Sequence, residues 1–186
     1  TGMAFSPPLP LHDAARVAAA LFVALTLLLL AATAAELYGR AFLWLPVLLF
    51  VGSVGLWERA HQLAPETGLM LGIAAALYGF ALALRRPVAG GTAVGLGAGV
   101  GFLSAGFIAI LWIGVTAVAL PIAFSAWRTR RYARAAGLAL APAVALGGSW
   151  PLALSLRAPA HLHAWWAAQS PGDFLAPLDT EASGDA

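Results

Sequence analysis

Long apolar runs bounded by arginine constrain this chain more than any other feature. Residues 17–35, 67–84 and 135–156 are each nearly free of charge and long enough to cross a bilayer, whose hydrocarbon core of about 30 Å takes roughly 20 helical residues. Residues 41–57 form a shorter run with Pro46 inside it, which predicts a kinked span. Only 10% of the residues are charged, against about 25% in ordinary soluble domains. The sequence therefore predicts an integral membrane protein.

A further apolar segment, residues 93–124, is too long for one crossing and short for two. As one helix it would extend about 48 Å. A single crossing would put Arg85 and Arg86 on the opposite side of the membrane from the arginines at 128–134, against the tendency of basic residues to stay cytoplasmic. We therefore predict a hairpin that breaks near residues 104–106, with at least one arm short.

The predicted fold class is all-α, a polytopic transmembrane helical bundle of about six helical segments including this Gly-rich hairpin. The bundle occupies residues 1–176, and a polar, disordered tail follows at 177–186. The polar residues of the first run, Thr26 and Thr33, can hydrogen-bond back to their own helix.

The hairpin divides the ten arginines of the chain unequally between the two sides of the membrane. We expect the larger group on the cytoplasmic side, which puts both ends of the segment outside the cytoplasm. The predicted location is the plasma (inner) membrane. The predicted cytoplasmic group is Arg40, Arg85, Arg86, Arg128, Arg130, Arg131 and Arg134, and the predicted opposite group is Arg16, Arg59 and Arg157.

The glycines of residues 90–106, GGTAVGLGAGVGFLSAG, could in principle cradle a phosphate or let helices touch. A dinucleotide-binding loop requires G-x-G-x-x-G, and each register of this segment lacks the third glycine; a P-loop requires a lysine, and the chain has none. The spacing that fits is four residues, which aligns glycines on one helix face and lets helices pack closely in lipid. This spacing joins Gly91, Gly95 and Gly99, and again Gly97 and Gly101.

Several kinds of site are excluded by residue type. The chain has no cysteine, and its arginines end apolar segments instead of forming a basic stripe, so thiolate chemistry and nucleic-acid binding have no support. His161 and His163 are two apart and would face different sides of a helix. No metal site and no cofactor are predicted from these residues, although the use of a divalent metal ion is left open.

The loop at residues 57–66, WERAHQLAPE, is a candidate binding site on the predicted extracytoplasmic side. Glu58, Arg59, His61 and Glu66 could line a site for a polar or phosphorylated substrate. The alternative is a solvated loop with an interfacial tryptophan. In this alternative the Glu66 carboxylate interacts favourably with the positive, N-terminal end of a helix dipole.

A second polar stretch, residues 161–174, lies on the same predicted side. Trp165 and Trp166 could anchor the chain at the membrane interface or stack on the face of a sugar.

In the order of these features the chain resembles the central part of C-type-fold membrane glycosyltransferases, the group of dolichyl-phosphate-mannose protein mannosyltransferases and the lipid A aminoarabinose transferase. The resemblance covers residues from about 11 to 178. The elements that carry it are 13–16 (DAAR), 37–40 (LYGR), 60–66 (AHQLAPE), 95–106 (GLGAGVGFLSAG), 127–131 (WRTRR), and Trp165-Trp166 followed by 172–175 (GDFL).

The resemblance implies transfer of a sugar from a polyprenyl-phosphate donor to a lipid or protein acceptor outside the cytoplasm. It implies substrate-binding roles for Glu58, Arg59, His61, Glu66, Trp165, Trp166 and Asp173, and a catalytic acid upstream of Thr1, so that this chain is a fragment of a longer enzyme.

Two positions depart from the pattern of that family. Ala105 stands where members often carry lysine, and Asp173 where they often carry arginine. Both changes remove positive charge where a phosphate would bind. Either another group supplies that charge, with Arg59 as the candidate, or this member has altered or lost activity. The alternative function is a non-catalytic membrane subunit or a transporter-like packing module.

Overall fold

The computed structural model describes residues 11–52, 66–158 and 162. Helices, with short connections between them, account for these residues, and no strand occurs among them. In chain order the helices are α1 (Leu11–Tyr38), α2 (Leu45–Val51), α3 (Glu66–Ala83), α4 (Pro87–Ala105), α5 (Phe107–Ala123), α6 (Arg130–Gly147) and α7 (Ser149–Arg157), with short 3₁₀ turns at Arg40–Phe42 and Ser125–Trp127.

The all-helical class is therefore confirmed for the described residues. Because α6 and α7 join end to end as Arg130–Arg157, the helices form six segments in this part of the chain. Three of the six are long and apolar enough to cross a membrane: Val17–Tyr38, Pro87–Ala105 and Arg130–Arg157. The other three, Arg40–Val51, Thr67–Ala83 and Phe107–Ala123, are shorter apolar helices.

The second predicted span differs most from the structure. Pro46 lies at the start of the short helix α2, after a turn at Leu43 and Trp44, instead of kinking a helix over residues 41–57. Proline is well tolerated at this position, because the first N–H groups of a helix have no partner within it. Helix α2 then packs back along α1, with Leu49 near Leu30.

The predicted hairpin break is confirmed at Gly106, which separates α4 from α5. Its backbone has φ 64° and ψ −144°, a conformation that is essentially restricted to glycine. The first arm begins earlier than predicted, at Pro87, because the glycines at 90 and 91 continue the helix. The rings of Phe102 and Phe107 pack edge to face across the turn, with centroids 5.3 Å apart.

Helix α4 is central and packs on two neighbours through different glycines. Toward α3, an added Cβ at Gly97 would lie 2.5 Å from the carbonyl oxygen of Gly72. Toward α6, added Cβ atoms at Gly91, Gly95 and Gly99 would meet Ala135, Ala139 and Leu146 in that order. The prediction that these glycines serve close helix packing is confirmed.

These contacts also fix the helix directions. Gly91 lies at Ala135 and Gly99 at Leu146, so α4 and α6 run parallel. Gly79 lies at Gly90 and Gly72 at Gly97, so α3 and α4 run antiparallel.

Polar groups within the helices are satisfied locally. The hydroxyls of Thr26 and Thr33 donate to the carbonyl oxygens of Phe22 and Leu29 at 2.8 and 2.7 Å, as predicted. No buried side-chain nitrogen or oxygen of the described residues lacks a hydrogen bond. This is the arrangement that an apolar surrounding requires.

Candidate functional site at the hairpin end

The residues predicted to form a binding site lie mostly outside the described part of the chain. Glu58, Arg59 and His61 fall within 53–65, and Trp165, Trp166 and Asp173 fall after residue 162. The tail at 177–186 lies outside it as well. Glu66 is the first residue of α3. The structure therefore gives the place where the two polar segments join the helices, and not the arrangement of their side chains.

Both polar segments join the bundle toward the same end. We call it the hairpin end and define it by the residues that lie there: Glu66, Gly68, Ser104, Gly106 and Gly147. An added Cβ on Gly68 would meet the side chain of Ser104, so α3 begins beside the end of α4. An added Cβ on Gly147 would lie 3.2 Å from the ring of Phe102, so α6 ends at the same level. Helix α3, which residues 53–65 precede in the sequence, begins at this end. Helix α7 continues α6 beyond it, and residues from 159 onward follow α7 in the sequence.

The described side chains of the hairpin end offer little chemistry of their own. The Ser104 hydroxyl donates to the carbonyl oxygen of Val100 at 2.9 Å and is therefore engaged within its helix. No group of three His, Cys, Asp or Glu residues that could hold a metal occurs in the described ranges. Any polar site at this end would depend on residues 53–65 and those after 158.

The described helices form grooves with mostly apolar linings. One groove lies between α3 and α5, has a volume of about 110 Å³ and is lined by Ile73, Ala76, Leu77, Phe80, Trp112, Ile113 and Thr116. The Thr116 hydroxyl donates to the carbonyl oxygen of Trp112 at 2.7 Å. This groove can hold part of an apolar chain, but it lacks the convergent polar groups of a sugar site.

The opposite end of the bundle, which we call the arginine end, carries Arg40, Arg85, Arg86, Arg128, Arg130, Arg131 and Arg134. Its placement follows from three contacts. Arg85, after α3, pairs with Glu36 near the end of α1 at 3.4 Å. Trp127 Nε1 donates to the carbonyl oxygen of Phe80 at 3.2 Å. The start of α6 meets the start of α4 where Ala135 faces Gly91. Arg16 and Arg157 belong to helix ends on the other side, and Arg59 lies outside the described residues.

The segment between α5 and α6 is held in place by hydrogen bonds. The Arg128 guanidinium donates to the carbonyl oxygens of Pro121 and Ile122 at 2.6 and 2.8 Å and so caps the end of α5. The hydroxyl of Thr129 accepts from the backbone N–H of Tyr132 and caps the start of α6.

Tyr132 completes this junction. It is buried, and its hydroxyl donates to the carbonyl oxygen of Ala117 at 2.7 Å, so α6 is tied to α5. Sequence reasoning treated residues 128–134 as a topology signal and missed these structural roles. The signal that could have found one of them is the threonine just before α6, a residue type common at helix starts.

Comparison with known protein families, curated proteins and solved structures finds no match for this chain. The resemblance to C-type-fold glycosyltransferases stays a prediction that depends on the motifs described above.

Proposed function

We propose that this chain is a membrane-embedded module of a glycosyltransferase that moves a sugar from a polyprenyl-phosphate donor to a lipid or protein acceptor outside the cytoplasm. The observation that carries the proposal is the placement of the two polar segments. The helix ends at Glu66 and Arg157, next to the sequence segments that hold most of the residues implicated by the resemblance, lie at the end opposite the seven arginines.

The proposed orientation puts the arginine end in the cytoplasm and the hairpin end outside the inner membrane. It is supported by the unequal distribution of arginine between the two ends. Embedding in the membrane, as distinct from its direction, is supported by exposed apolar side chains on α5, such as Val118 and Ile122, which are 63% and 68% exposed and suit contact with lipid tails.

Single-cysteine labelling tests this orientation, and the natural absence of cysteine makes the assay clean. Ser125 is exposed at the arginine end and Ser155 is exposed on α7 toward the other end. In sealed inner-membrane vesicles of native sidedness, we expect an impermeant maleimide added to the outside to label Ser155→Cys, and to label Ser125→Cys only after the membrane is opened. The reverse pattern would contradict the orientation.

Sugar transfer is tested with the full-length protein in membranes and a series of polyprenyl-phosphate sugars. We expect transfer with at least one donor, and we expect Arg59→Ala to weaken donor binding by roughly 10- to 100-fold, since hydrogen bonds to charged groups contribute about 1.5–3 kcal/mol. Arg157→Ala, which removes an arginine from α7, is the matched control and should leave donor binding unchanged. Absence of transfer with every donor, from protein that remains folded, would refute the proposal.

A second candidate is a non-catalytic membrane subunit or a transporter-like packing module. It is favoured by the apolar lining of the groove between α3 and α5 and by the glycine contacts that give α4 a purely structural role. Failure of the transfer assay together with solute flux into liposomes would favour the transporter form; failure of both assays would favour the subunit.

A further inference from the structure

We propose that the arginine end binds an anionic phospholipid, with its headgroup phosphate on exposed arginines and part of one acyl chain in the groove between α3 and α5. This inference depends on the membrane orientation proposed above and not on sugar transfer. Two features at one end of the bundle identify the ligand. One is a cluster of unpaired positive charge, and the other is an apolar groove.

The charge at this end is strongly unbalanced. Glu36 is the acidic residue of the described ranges that lies there, since Asp13 and Glu66 are at the starts of α1 and α3 on the other side. Glu36 pairs with Arg85 at 3.4 Å. Six further arginines at this end are left without a carboxylate from the described residues, which gives a surface complementary to a phosphate.

The individual arginines differ in how free they are to bind a ligand. The Arg128 guanidinium already donates hydrogen bonds to the carbonyl oxygens of Pro121 and Ile122. Arg130, Arg131 and Arg134 are exposed and make no hydrogen bond or ion pair with a residue of the described ranges. Tyr132, within this sequence, points the other way into the core. On α6, Arg130 and Arg134 are four residues apart and so share one outward face.

The groove ends close to these charges. Its last residue on α3 is Phe80, whose carbonyl oxygen accepts from Trp127 and whose ring packs against Tyr132 at a centroid distance of 6.2 Å. The start of α6 is therefore adjacent to the end of the groove. A lipid can place its phosphate near the arginines and run a chain along Phe80 and Leu77 toward Ile73.

The apolar surroundings favour a lipid over a soluble anion. Val88 follows the Arg85-Arg86 pair and is 54% exposed, and Ile122 next to the capped end of α5 is 68% exposed. Arginine side chains at such borders lay their aliphatic stems on apolar surface while the guanidinium reaches the headgroup level. A free phosphate would leave this apolar surface and the groove without a ligand.

The test measures lipid retention by the full protein, released from membranes in neutral detergent, by native mass spectrometry with added phosphatidylglycerol or phosphatidylcholine. We expect preferential retention of phosphatidylglycerol. The triple variant Arg130→Gln, Arg131→Gln, Arg134→Gln should lower its affinity by roughly 100-fold at low ionic strength, since each arginine near an anionic headgroup contributes about fivefold. These residues are exposed, so an unchanged melting temperature is expected and confirms that the variant is folded.

Arg157→Gln is the matched control, because it removes an exposed arginine from the other end. It should retain the lipid as the wild type does. Equal retention by the triple variant, or equal loss in Arg157→Gln, would overturn the site. Inorganic phosphate at millimolar concentration should not displace the lipid; full displacement would show a soluble-anion site and would overturn the lipid assignment.

The groove is tested separately with Leu77→Trp, which should fill it and reduce retention of phosphatidylglycerol. Leu111→Trp is the control, since Leu111 is 62% exposed on α5 and does not line the groove. Equal retention by Leu77→Trp and the wild type would refute the placement of the acyl chain in this groove. Because neither donor nor acceptor is present in these measurements, a failure of sugar transfer leaves their outcome unaffected, and a failure of the orientation is detected by cysteine labelling.

Discussion

Gly72→Ala is expected to force α3 away from α4 and to destabilise the protein by about 3 kcal/mol, the upper end of the usual range for overpacking. The added Cβ would lie 2.6 Å from the carbonyl oxygen of Gly97 and 2.7 Å from the backbone nitrogen of Gly101. Both atoms belong to the backbone of a regular helix, so neither can move without displacing the helix itself. The contact is also reciprocal, because a Cβ on Gly97 would lie 2.7 Å from the backbone nitrogen of Ala76.

The measurement is the unfolding midpoint in mixed detergent micelles, followed by circular dichroism. Gly137→Ala is the matched control, since Gly137 is also helical and an added Cβ there meets nothing within 4 Å. The control should be neutral or more stable by up to about 1 kcal/mol, because alanine favours a helix over glycine. Equal midpoints for Gly72→Ala and the wild type would contradict the close packing of α3 on α4.

Gly106→Ala is expected to destabilise the hairpin by about 1–3 kcal/mol, the range for a residue held in a sparsely populated backbone conformation. The strain arises from the backbone, since Gly106 has φ 64° and ψ −144°. Alanine would instead favour helix through the turn, which opposes the reversal of the chain between α4 and α5. We expect the variant to unfold earlier and to expose Ser125→Cys to label on both sides of the membrane in part of the population.

Gly114→Ala provides the comparison for this second prediction. Gly114 lies within α5, and an added Cβ there meets nothing within 4 Å. This variant should keep the wild-type labelling pattern, with a midpoint equal to or slightly above that of the wild type. A Gly106→Ala protein that is as stable and as uniformly oriented as the control would show that the turn does not require glycine.

Part of the candidate site could be predicted from the sequence and part could not. The arginine end follows from where arginines interrupt apolar runs, and the hairpin break follows from the length of residues 93–124 together with that arginine pattern. The roles of Trp127 and Tyr132 could not be predicted. They depend on hydrogen bonds to Phe80 and Ala117, which are 47 and 15 residues away in the chain.

The sequence by itself determined that the described residues are helical, that a break falls near residues 104–106, and that the glycines of α4 serve packing. Those properties are local, because hydropathy, helix length and glycine spacing are read from neighbouring residues. Only the tertiary structure decided that Gly97 packs on α3 while Gly91 and Gly95 pack on α6, and that Pro46 begins a short helix instead of kinking a span. The choice of neighbour depends on which distant backbones can approach, and the spacing of glycines along one helix carries no information about its partner.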